Sequence, residues 1–433
     1  MSKLAVFGGD SVVPEGLVVH WPNVTQEDKA AVMAVLDRGI LWGEDSPETA
    51  ALEKEWAEYV GTRFCLATNS GTAALHMAVA AAGIGPGDEV ITSALTFLAS
   101  ASCVLHHNAI PVFADIDPDT FNVTAQTIAE RITERTKAII PVHLHGLPAD
   151  MDEILALARK HGLTVIEDAC QAHGATYKGR KVGGLADSAA FSLNTTKNLA
   201  GGEGGLFNTD SEDTYRRAKS VRTFGEVIVK GRARSYNSYG MGWMYRMQEM
   251  PAAFARSGLA RLDAENSIRV KNAEWLSAEL AKIPGIIPPK CPADRTHVYH
   301  LYRFKLDPEA CGVDMPVREF KERVMKALQA EGVEVFTWQN FPVPAQTLFQ
   351  LREGYGKGCP WTCTHYAGGS VNYDPAEYPV TNTVLDSSLV MHSPIYPPNG
   401  LNVMTVYRDA FQKVFENLSD LWRIELEPRQ DLF

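Results

Sequence analysis

The sequence predicts an α/β protein whose mostly parallel central sheet is flanked by helices and is followed by a smaller α+β domain. Short apolar runs alternate with amphipathic helical segments in the first part of the chain, and polar residues follow directly after several of those runs. A proline-rich stretch at 284–292 then interrupts the pattern. A chain of 433 residues is long enough for two buried cores.

Two helices and five strands are expected before residue 170. Apolar residues recur at helical spacing over 25–37 and 48–59, and Ser46 and Pro47 suit the cap and first residue of the second helix. This alternation is typical of a parallel sheet wound with helices. The predicted strands are 65–68, 89–93, 111–115, 138–142 and 164–168.

The second part of the chain is expected to form a separate small domain. A long connecting helix is predicted from Arg246 to Asp263, and we place the boundary at the proline-rich stretch, with a large domain over 1–285 and a small one over 286–433. The small domain should contain a strand followed by helices, and 352–384 is rich in Gly, Pro, Tyr and Cys and is predicted to be a long loop. The predicted strand and helices are 300–306, 316–331 and 402–422.

Composition excludes several classes of function. The net charge of −11 gives no electrostatic drive toward nucleic acid or an anionic membrane. The first residues lack a signal peptide and no apolar run approaches a membrane span, so we expect a cytoplasmic protein. The seven cysteines are dispersed, and Cys359, Cys363 and His365 lack zinc-site spacing, so we expect reduced thiols and no metal site.

Residues 68–83 contain a candidate anion site. Ser70, Gly71 and Thr72 lie directly before a predicted helix, where backbone N–H groups converge at the positive end of the helix dipole. Such a site suits phosphate. Serine and threonine at helix starts are, however, more often simple caps, and the segment alone does not decide between the two interpretations.

Asp168 and Lys197 are candidate chemical groups. Asp168 ends an apolar strand, where a buried carboxylate needs a cation such as a protonated pyridine nitrogen, or caps the following turn. Lys197 lies in a glycine-rich, hairpin-like loop. Burial there would lower the pKa of the amine and make it nucleophilic toward an aldehyde, whereas a solvated loop lysine would have no such role.

Four sequence blocks together resemble the DegT/StrS-type sugar and aminocyclitol aminotransferases, which have fold type I. The blocks are NSGTAAL at 69–75, HLHGLPADMD at 143–152, IEDACQAHGATYKGRKVG at 166–183 and KNLAGGEGG at 197–205, and the resemblance extends from about Trp21 to Leu421. It implies a homodimer that uses pyridoxal 5'-phosphate. The implied reaction moves an amino group from glutamate or glutamine to a keto sugar or keto cyclitol, in the biosynthesis of amino sugars, aminocyclitols or antibiotics.

The resemblance also implies a role for individual residues. Lys197 would hold the cofactor as a Schiff base and then move the proton between substrate and cofactor. Asp168 would pair with the pyridine nitrogen, Gln171 would bond the ring hydroxyl, and Phe97 would stack on the ring, although an aromatic there is commonly core. The expected phosphate ligands are Gly71, Thr72 and Ser192.

One motif departs from the family pattern. In GWMYRM, Met244 stands where relatives commonly have an asparagine that reaches the cofactor phosphate of the neighbouring subunit, and a thioether cannot donate that hydrogen bond. Either another donor such as Asn237 replaces it, or the phosphate is held mainly by its own subunit. Arg246 of the motif is retained.

Two rival functions remain at this stage. Some relatives are sugar dehydratases, whose deoxygenating branches carry histidine where Lys197 stands, and a regulatory member could bind the cofactor without turnover. The lysine favours amination. Near the site, His173 and Glu203 have structural explanations, while His145 either lines the substrate pocket or is a satisfied structural histidine.

Overall fold

A computed structural model describes residues 3–43, 46–229 and 232–427 of the chain. In chain order the helices are α1 (Gln26–Arg38), α2 (Pro47–Val60), α3 (Gly71–Ala81), α4 (Ala99–Leu105), α5 (Ala125–Ala129), α6 (Met151–His161), α7 (Glu212–Arg222), α8 (Glu249–Leu259), α9 (Leu262–Leu280), α10 (Val317–Ala330), α11 (Thr347–Leu351), α12 (Pro379–Ser387) and α13 (Leu401–Phe415). The strands are β1 (Phe64–Thr68), β2 (Glu89–Ser93), β3 (Ile110–Ala114), β4 (Thr136–Ile140), β5 (Thr164–Asp168), β6 (Thr176–Tyr177), β7 (Arg180–Lys181), β8 (Ser188–Ser192), β9 (Gly205–Thr209), β10 (Ile286–Ile287), β11 (Tyr302–Leu306) and β12 (Ser388–Met391).

The large sheet has seven strands in the order β1-β9-β8-β5-β4-β2-β3. Neighbours pair in parallel from β8 through to β3, whereas β9 runs antiparallel to both β1 and β8. The mostly parallel sheet predicted from the sequence is therefore confirmed. The carboxyl ends of β1, β2, β5 and β8 consequently lie along one edge of the sheet, where α/β proteins bind ligands.

The sheet is buried on both faces. Successive side chains of a strand point to opposite faces of the sheet. Val165 and Leu206 therefore lie in the apolar core on one face, and their neighbours Ile166 and Phe207 lie in the core on the other face. Trp56 on α2 belongs to the first core, where its ring meets Phe191 edge-on at 4.9 Å between centroids. Helices on both sides thus hold the strand ends in a fixed arrangement.

The second helix has its start stabilised from a distant part of the chain. Ser46 occupies the cap position of α2, but its side chain makes no capping hydrogen bond. The buried Glu249 carboxylate instead accepts from the backbone N–H groups of Glu48 and Thr49, at 2.9 and 2.7 Å, and from the Thr49 hydroxyl. The cap predicted for this helix is thus replaced by a carboxylate at the start of α8.

A second apolar core surrounds the three-stranded sheet β10-β11-β12. Phe304 and Phe411 meet there at 5.3 Å between ring centroids. Leu4 from the start of the chain and Leu276 from α9 are buried in the same core. Helix α9 therefore passes from the first core into the second, and the domain boundary at 285 stays a prediction.

Three predicted elements differ from the observed ones by more than two residues at an end. The helix expected from Arg246 to Asp263 is two helices, α8 and α9, because α8 ends at Leu259 and a new helix begins at Leu262. The helix expected over 402–422 ends at Phe415. The loop expected over 352–384 ends at Tyr378, because α12 begins at Pro379, and proline is favoured at the first position of a helix.

The long segment before α12 covers the β3 edge of the sheet. Phe113 of β3 contacts Phe349 and Tyr373 edge-on, at 5.0 and 5.7 Å between centroids. The Tyr373 hydroxyl donates to the Pro111 carbonyl at 2.7 Å, and Tyr366 donates to Glu89. The segment thereby protects an edge strand that would otherwise expose unpaired backbone groups. Within the described ranges, no helix is long and apolar enough to cross a membrane.

Candidate active site

A cavity of about 380 Å³ opens at the carboxyl ends of β1, β2, β5 and β8. All seven residues that the sequence singled out for the cofactor lie around it. Its lining residues are Ser70, Gly71, Thr72, Leu75, Phe97, Ala99, Asp168, Cys170, Gln171, Ser192, Asn194, Thr196, Lys197, Glu203, His300 and Trp338. None of them comes from the segment 352–384.

The start of α3 forms one wall of the cavity. Ser70 caps the helix by accepting from the Ala73 N–H at 3.1 Å, which leaves the first-turn N–H groups of Gly71 and Thr72 directed out of the helix end. A Cβ on Gly71 would lie 2.7 Å from Ser192 Cβ and too close to pack. Glycine therefore allows the helix end to approach β8. Ser70 is a helix cap, and phosphate binding by Gly71 and Thr72, which line the cavity, stays a prediction.

Asp168 presents a buried carboxylate to the cavity. Its Oδ2 accepts from the Ser100 hydroxyl at 2.6 Å, and its Oδ1 accepts from the Cys170 backbone N–H at 3.1 Å. The Thr96 hydroxyl lies 2.8 Å from Ser100 Oγ and can donate to it. These contacts orient the carboxylate, and no described arginine, lysine or histidine forms an ion pair with it.

Gln171 is oriented by the loop that follows β4. Its Oε1 accepts from the His145 backbone N–H at 2.8 Å, so the amide NH2 group is the part left to donate into the cavity. The His145 side chain itself is buried and does not line the cavity, and its Nε2 accepts from Arg303 at 2.8 Å. Burial and this contact favour the structural interpretation of His145, although its Nδ1 has no hydrogen-bond partner among the described residues.

Lys197 lies in the loop between β8 and β9. The loop is closed by hydrogen bonds across its base, from Leu193 N–H to the Gly204 carbonyl and from Thr195 N–H to the Gly202 carbonyl. The side chain opens into the cavity but is otherwise surrounded by protein, and this burial lowers the pKa of Lys197. A lowered pKa gives more of the unprotonated, nucleophilic amine near neutral pH.

Phe97 and Met244 lie toward the solvent side of the site. Phe97 lines the cavity with 61% of its side chain exposed, so it is not a core residue. The Met244 backbone carbonyl accepts a hydrogen bond from Asn69 Nδ2 at 3.2 Å, and the Met244 sulfur accepts one from Arg246 Nε. Asn237 is exposed, and whether it replaces the usual asparagine stays a prediction.

The residues present fit pyridoxal phosphate. Its aldehyde requires a nucleophilic amine, its ring nitrogen a carboxylate and its phosphate several N–H and hydroxyl donors. The cavity brings together the Lys197 amine, the buried Asp168 carboxylate, for which the described residues offer no ion-pair partner, and the helix start at Gly71. The residue roles themselves remain predictions.

Several residues near the site were not recognised from the sequence. Ser100 orients Asp168 from the first turn of α4, while His300 and Trp338 come from the second part of the chain. Their distance along the chain gave no local signal for a shared site. His173, which was given a structural explanation, is buried with its ring 5.8 Å from Trp56.

Comparison with known proteins identifies the family. The profile of the DegT/DnrJ/EryC1/StrS aminotransferase family matches residues 22–369. GDP-perosamine synthase of Caulobacter vibrioides is 40% identical over 283 residues, which cover 65% of this chain and 73% of that protein. L-glutamine:2-deoxy-scyllo-inosose aminotransferase of Streptomyces fradiae is 38% identical over 375 residues, covering 83% of this chain and 86% of that one.

Solved structures show the same fold. The X-ray structure of the aminotransferase from Psychrobacter cryohalolentis superposes with a TM-score of 0.78 at 30% sequence identity, and the match covers 93% of this chain and 100% of that chain. The predicted fold type, family and cofactor are confirmed by these matches. The chain belongs to the DegT/DnrJ/EryC1/StrS aminotransferase family and is a pyridoxal-phosphate-dependent aminotransferase.

Proposed function

We propose that this aminotransferase moves an amino group from glutamate or glutamine to a keto sugar or keto cyclitol, in amino-sugar or aminocyclitol biosynthesis. The observation that carries the proposal is the position of the Lys197 amine in one cavity with the Asp168 carboxylate and the α3 start. When bound, pyridoxal phosphate supplies an aldehyde that captures amines and a ring that accepts electrons.

The protein's own groups have separate tasks in this proposal. Lys197 Nζ holds the cofactor covalently at rest and, once displaced by substrate, takes and returns a proton at the substrate carbon. Asp168, oriented by Ser100, keeps a positive charge on the ring nitrogen. The Gln171 NH2 group would donate to the ring oxygen, and Phe97 would cover the ring.

The cavity lining favours an acceptor whose reacting ring is uncharged and rich in hydroxyls. Among the described lining residues Lys197 is the only lysine or arginine, and the others near it include Asn194, Thr196 and Glu203. Glu203 accepts from Asn194 Nδ2 at 2.7 Å and offers acceptor oxygens to sugar or cyclitol hydroxyls. The two named relatives, a GDP-perosamine synthase and a 2-deoxy-scyllo-inosose aminotransferase, support amino transfer to substrates of this kind.

The protein acts as a homodimer in this proposal. An apolar face formed by residues 224–229 and 232–244 has Met241 78%, Tyr236 75% and Tyr239 70% exposed, more than a monomer usually leaves in one place. The face adjoins the cavity through the Asn69–Met244 hydrogen bond. Replacing Met241 and Tyr239 together by lysine should give a monomer in light scattering, and an intact dimer would contradict this surface as the interface.

The proposed reaction is tested in two half reactions followed by absorption spectroscopy. Glutamine or glutamate should convert the bound cofactor to its amine form, and 2-deoxy-scyllo-inosose or a nucleotide-linked keto sugar should convert it back with formation of an amino product. Lys197→Ala should bind the cofactor but not cycle. A cofactor band that ignores both amino donors would contradict amino transfer and favour dehydration or binding without turnover.

A further inference from the structure

His300 makes the one close side-chain contact described for the Lys197 amine. It stands two residues before β11, and its Nε2 lies 3.3 Å from Lys197 Nζ. The side chain is buried at 4% exposure, although its inner edge lines the cavity. A histidine from the second part of the chain thus touches the amine of the β8–β9 loop.

The hydrogen-bond network decides which nitrogen of His300 carries the proton. The Tyr396 hydroxyl lies 2.8 Å from Asn198 Oδ1 and 3.0 Å from the His300 carbonyl, both of which are acceptors only. Asn198 Oδ1 is identified as oxygen because the amide nitrogen donates to the Val298 carbonyl at 2.8 Å. The single tyrosine hydrogen is therefore used on one of these oxygens.

The other partner of the tyrosine must then be a donor. His300 Nδ1 lies 3.3 Å from the Tyr396 oxygen, so Nδ1 carries the hydrogen and donates it. Nε2 is left without a hydrogen, and its lone pair faces Lys197 Nζ. Burial, followed by the nearby Lys197 charge, lowers the pKa of His300 well below its ordinary value, which keeps the ring neutral.

We propose that His300 is a positioning residue that accepts a hydrogen bond from Lys197 Nζ through its bare Nε2 whenever the amine is not bound to the cofactor. The contact holds the free amine toward the small-domain wall of the cavity. Lys197 keeps its protons in this contact, and His300 takes none. The inference rests on the proposed role of Lys197 and adds the group that holds this amine in place.

Other groups near the Lys197 amine also affect its pKa, and a titration of Lys197 has to take them into account. Burial lowers the pKa of Lys197, a nearby cysteine and two carboxylates offset part of that shift, and buried histidines that stay neutral lie nearby. These groups are Asp168, Cys170, Glu203, His145, His173 and His392. Of the histidines, His392 offers the best control, since its Nε2 donates to the Thr196 carbonyl at 2.8 Å.

The test is the titration of Lys197 in the protein freed of cofactor. Acetic anhydride, a small amine reagent, is applied over a range of pH, and acetylation of each lysine is read by mass spectrometry with the exposed Lys54 as internal reference. A charge-assisted hydrogen bond to an ammonium favours the protonated amine. His300→Phe should therefore lower the measured pKa of Lys197 by about one unit.

Matched variants separate this role from general packing. His300→Gln, whose Oε1 can accept at the position of Nε2, should keep the wild-type titration, and Tyr396→Phe should give a smaller shift in the same direction as His300→Phe. His392→Phe should leave the titration unchanged. An unchanged titration in His300→Phe would overturn the inference, as would equal shifts in His300→Gln or His392→Phe.

A parallel measurement distinguishes failure of the inference from failure of the proposed function. Wild-type protein loaded with pyridoxal phosphate is reduced with borohydride, and the labelled peptide is identified. Label on Lys197 together with an unshifted His300→Phe titration refutes only the role of His300. Label on another residue refutes the role of Lys197 and, with it, the basis of the inference.

Discussion

Replacing Ser100 by alanine tests how the carboxylate at the end of β5 is held. Ser100 is fully buried, and its hydroxyl donates to Asp168 Oδ2 at 2.6 Å. A hydrogen bond to a charged group contributes about 1.5–3 kcal/mol. Without cofactor, water in the cavity can replace the lost hydroxyl, but a bound ring would exclude that water.

The cost should therefore fall on cofactor binding. At about 1.4 kcal/mol per factor of ten, Ser100→Ala should weaken pyridoxal-phosphate binding about ten- to a hundredfold. Titration of the cofactor-free protein by absorbance measures this directly, while its melting temperature without cofactor should change little.

Two control variants come from the same region. Ser102 lies on the same helix as Ser100 and makes no described contact with Asp168. The Ser102→Ala variant should therefore bind the cofactor like wild type. Thr96→Val removes only a donor to Ser100 and should have a smaller effect than Ser100→Ala. Cofactor affinity unchanged in Ser100→Ala, or lowered equally in Ser102→Ala, would refute the account of how Asp168 is oriented.

Three further changes test the surrounding structure. Gly71→Ala would place a Cβ 2.7 Å from Ser192 Cβ, so it should cost about 1–3 kcal/mol in stability and weaken cofactor binding, as urea unfolding and cofactor titration would show. Burial alone would raise the pKa of Glu249, but hydrogen bonds from the backbone N–H groups of Glu48 and Thr49 outweigh burial and lower the pKa. The Glu249 carboxylate therefore stabilises the fold above pH 4.5 and loses this contribution as the pH falls further. Glu249→Gln should be less stable than wild type at pH 7, and the difference between their urea midpoints should shrink toward pH 3. Tyr373→Phe should lower stability by about 1 kcal/mol without changing turnover, because its buried hydroxyl only joins the Pro111 carbonyl of β3 to Trp361 Nε1 in the segment that covers this edge.

Much of the fold was predictable because its signals are local. The strands 89–93 and 164–168 were predicted with their observed bounds, since short apolar runs between polar segments mark buried parallel strands. The ends of helices were less accurate. The break between α8 and α9 was missed because the residues there, Ala260 and Arg261, include no proline. The cap of α2 could not be predicted because Glu249, which supplies it, lies about two hundred residues away along the chain.

The candidate site was predictable only in its first part. Gly71, Asp168 and Lys197 could be found because each ends or follows a strand whose carboxyl end faces the same edge, and because the family resemblance covers them. Nothing local in the sequence shows that His300 would reach Lys197, since that contact depends on how the two cores pack. The helical start of 379–384 was missed because the residues before it are rich in glycine and proline.

In the proposed mechanism, Lys197 holds pyridoxal phosphate in the cavity at the carboxyl ends of the strands. The most direct test of this role is borohydride reduction of the cofactor-loaded wild-type protein, followed by digestion and mass spectrometry of the labelled peptide. We expect a single reduced pyridoxyl group on Lys197, and none after prior treatment with whichever of glutamate or glutamine is the amino donor, because amino transfer releases the lysine. A label on another lysine, or no label in protein saturated with cofactor, would contradict this mechanism.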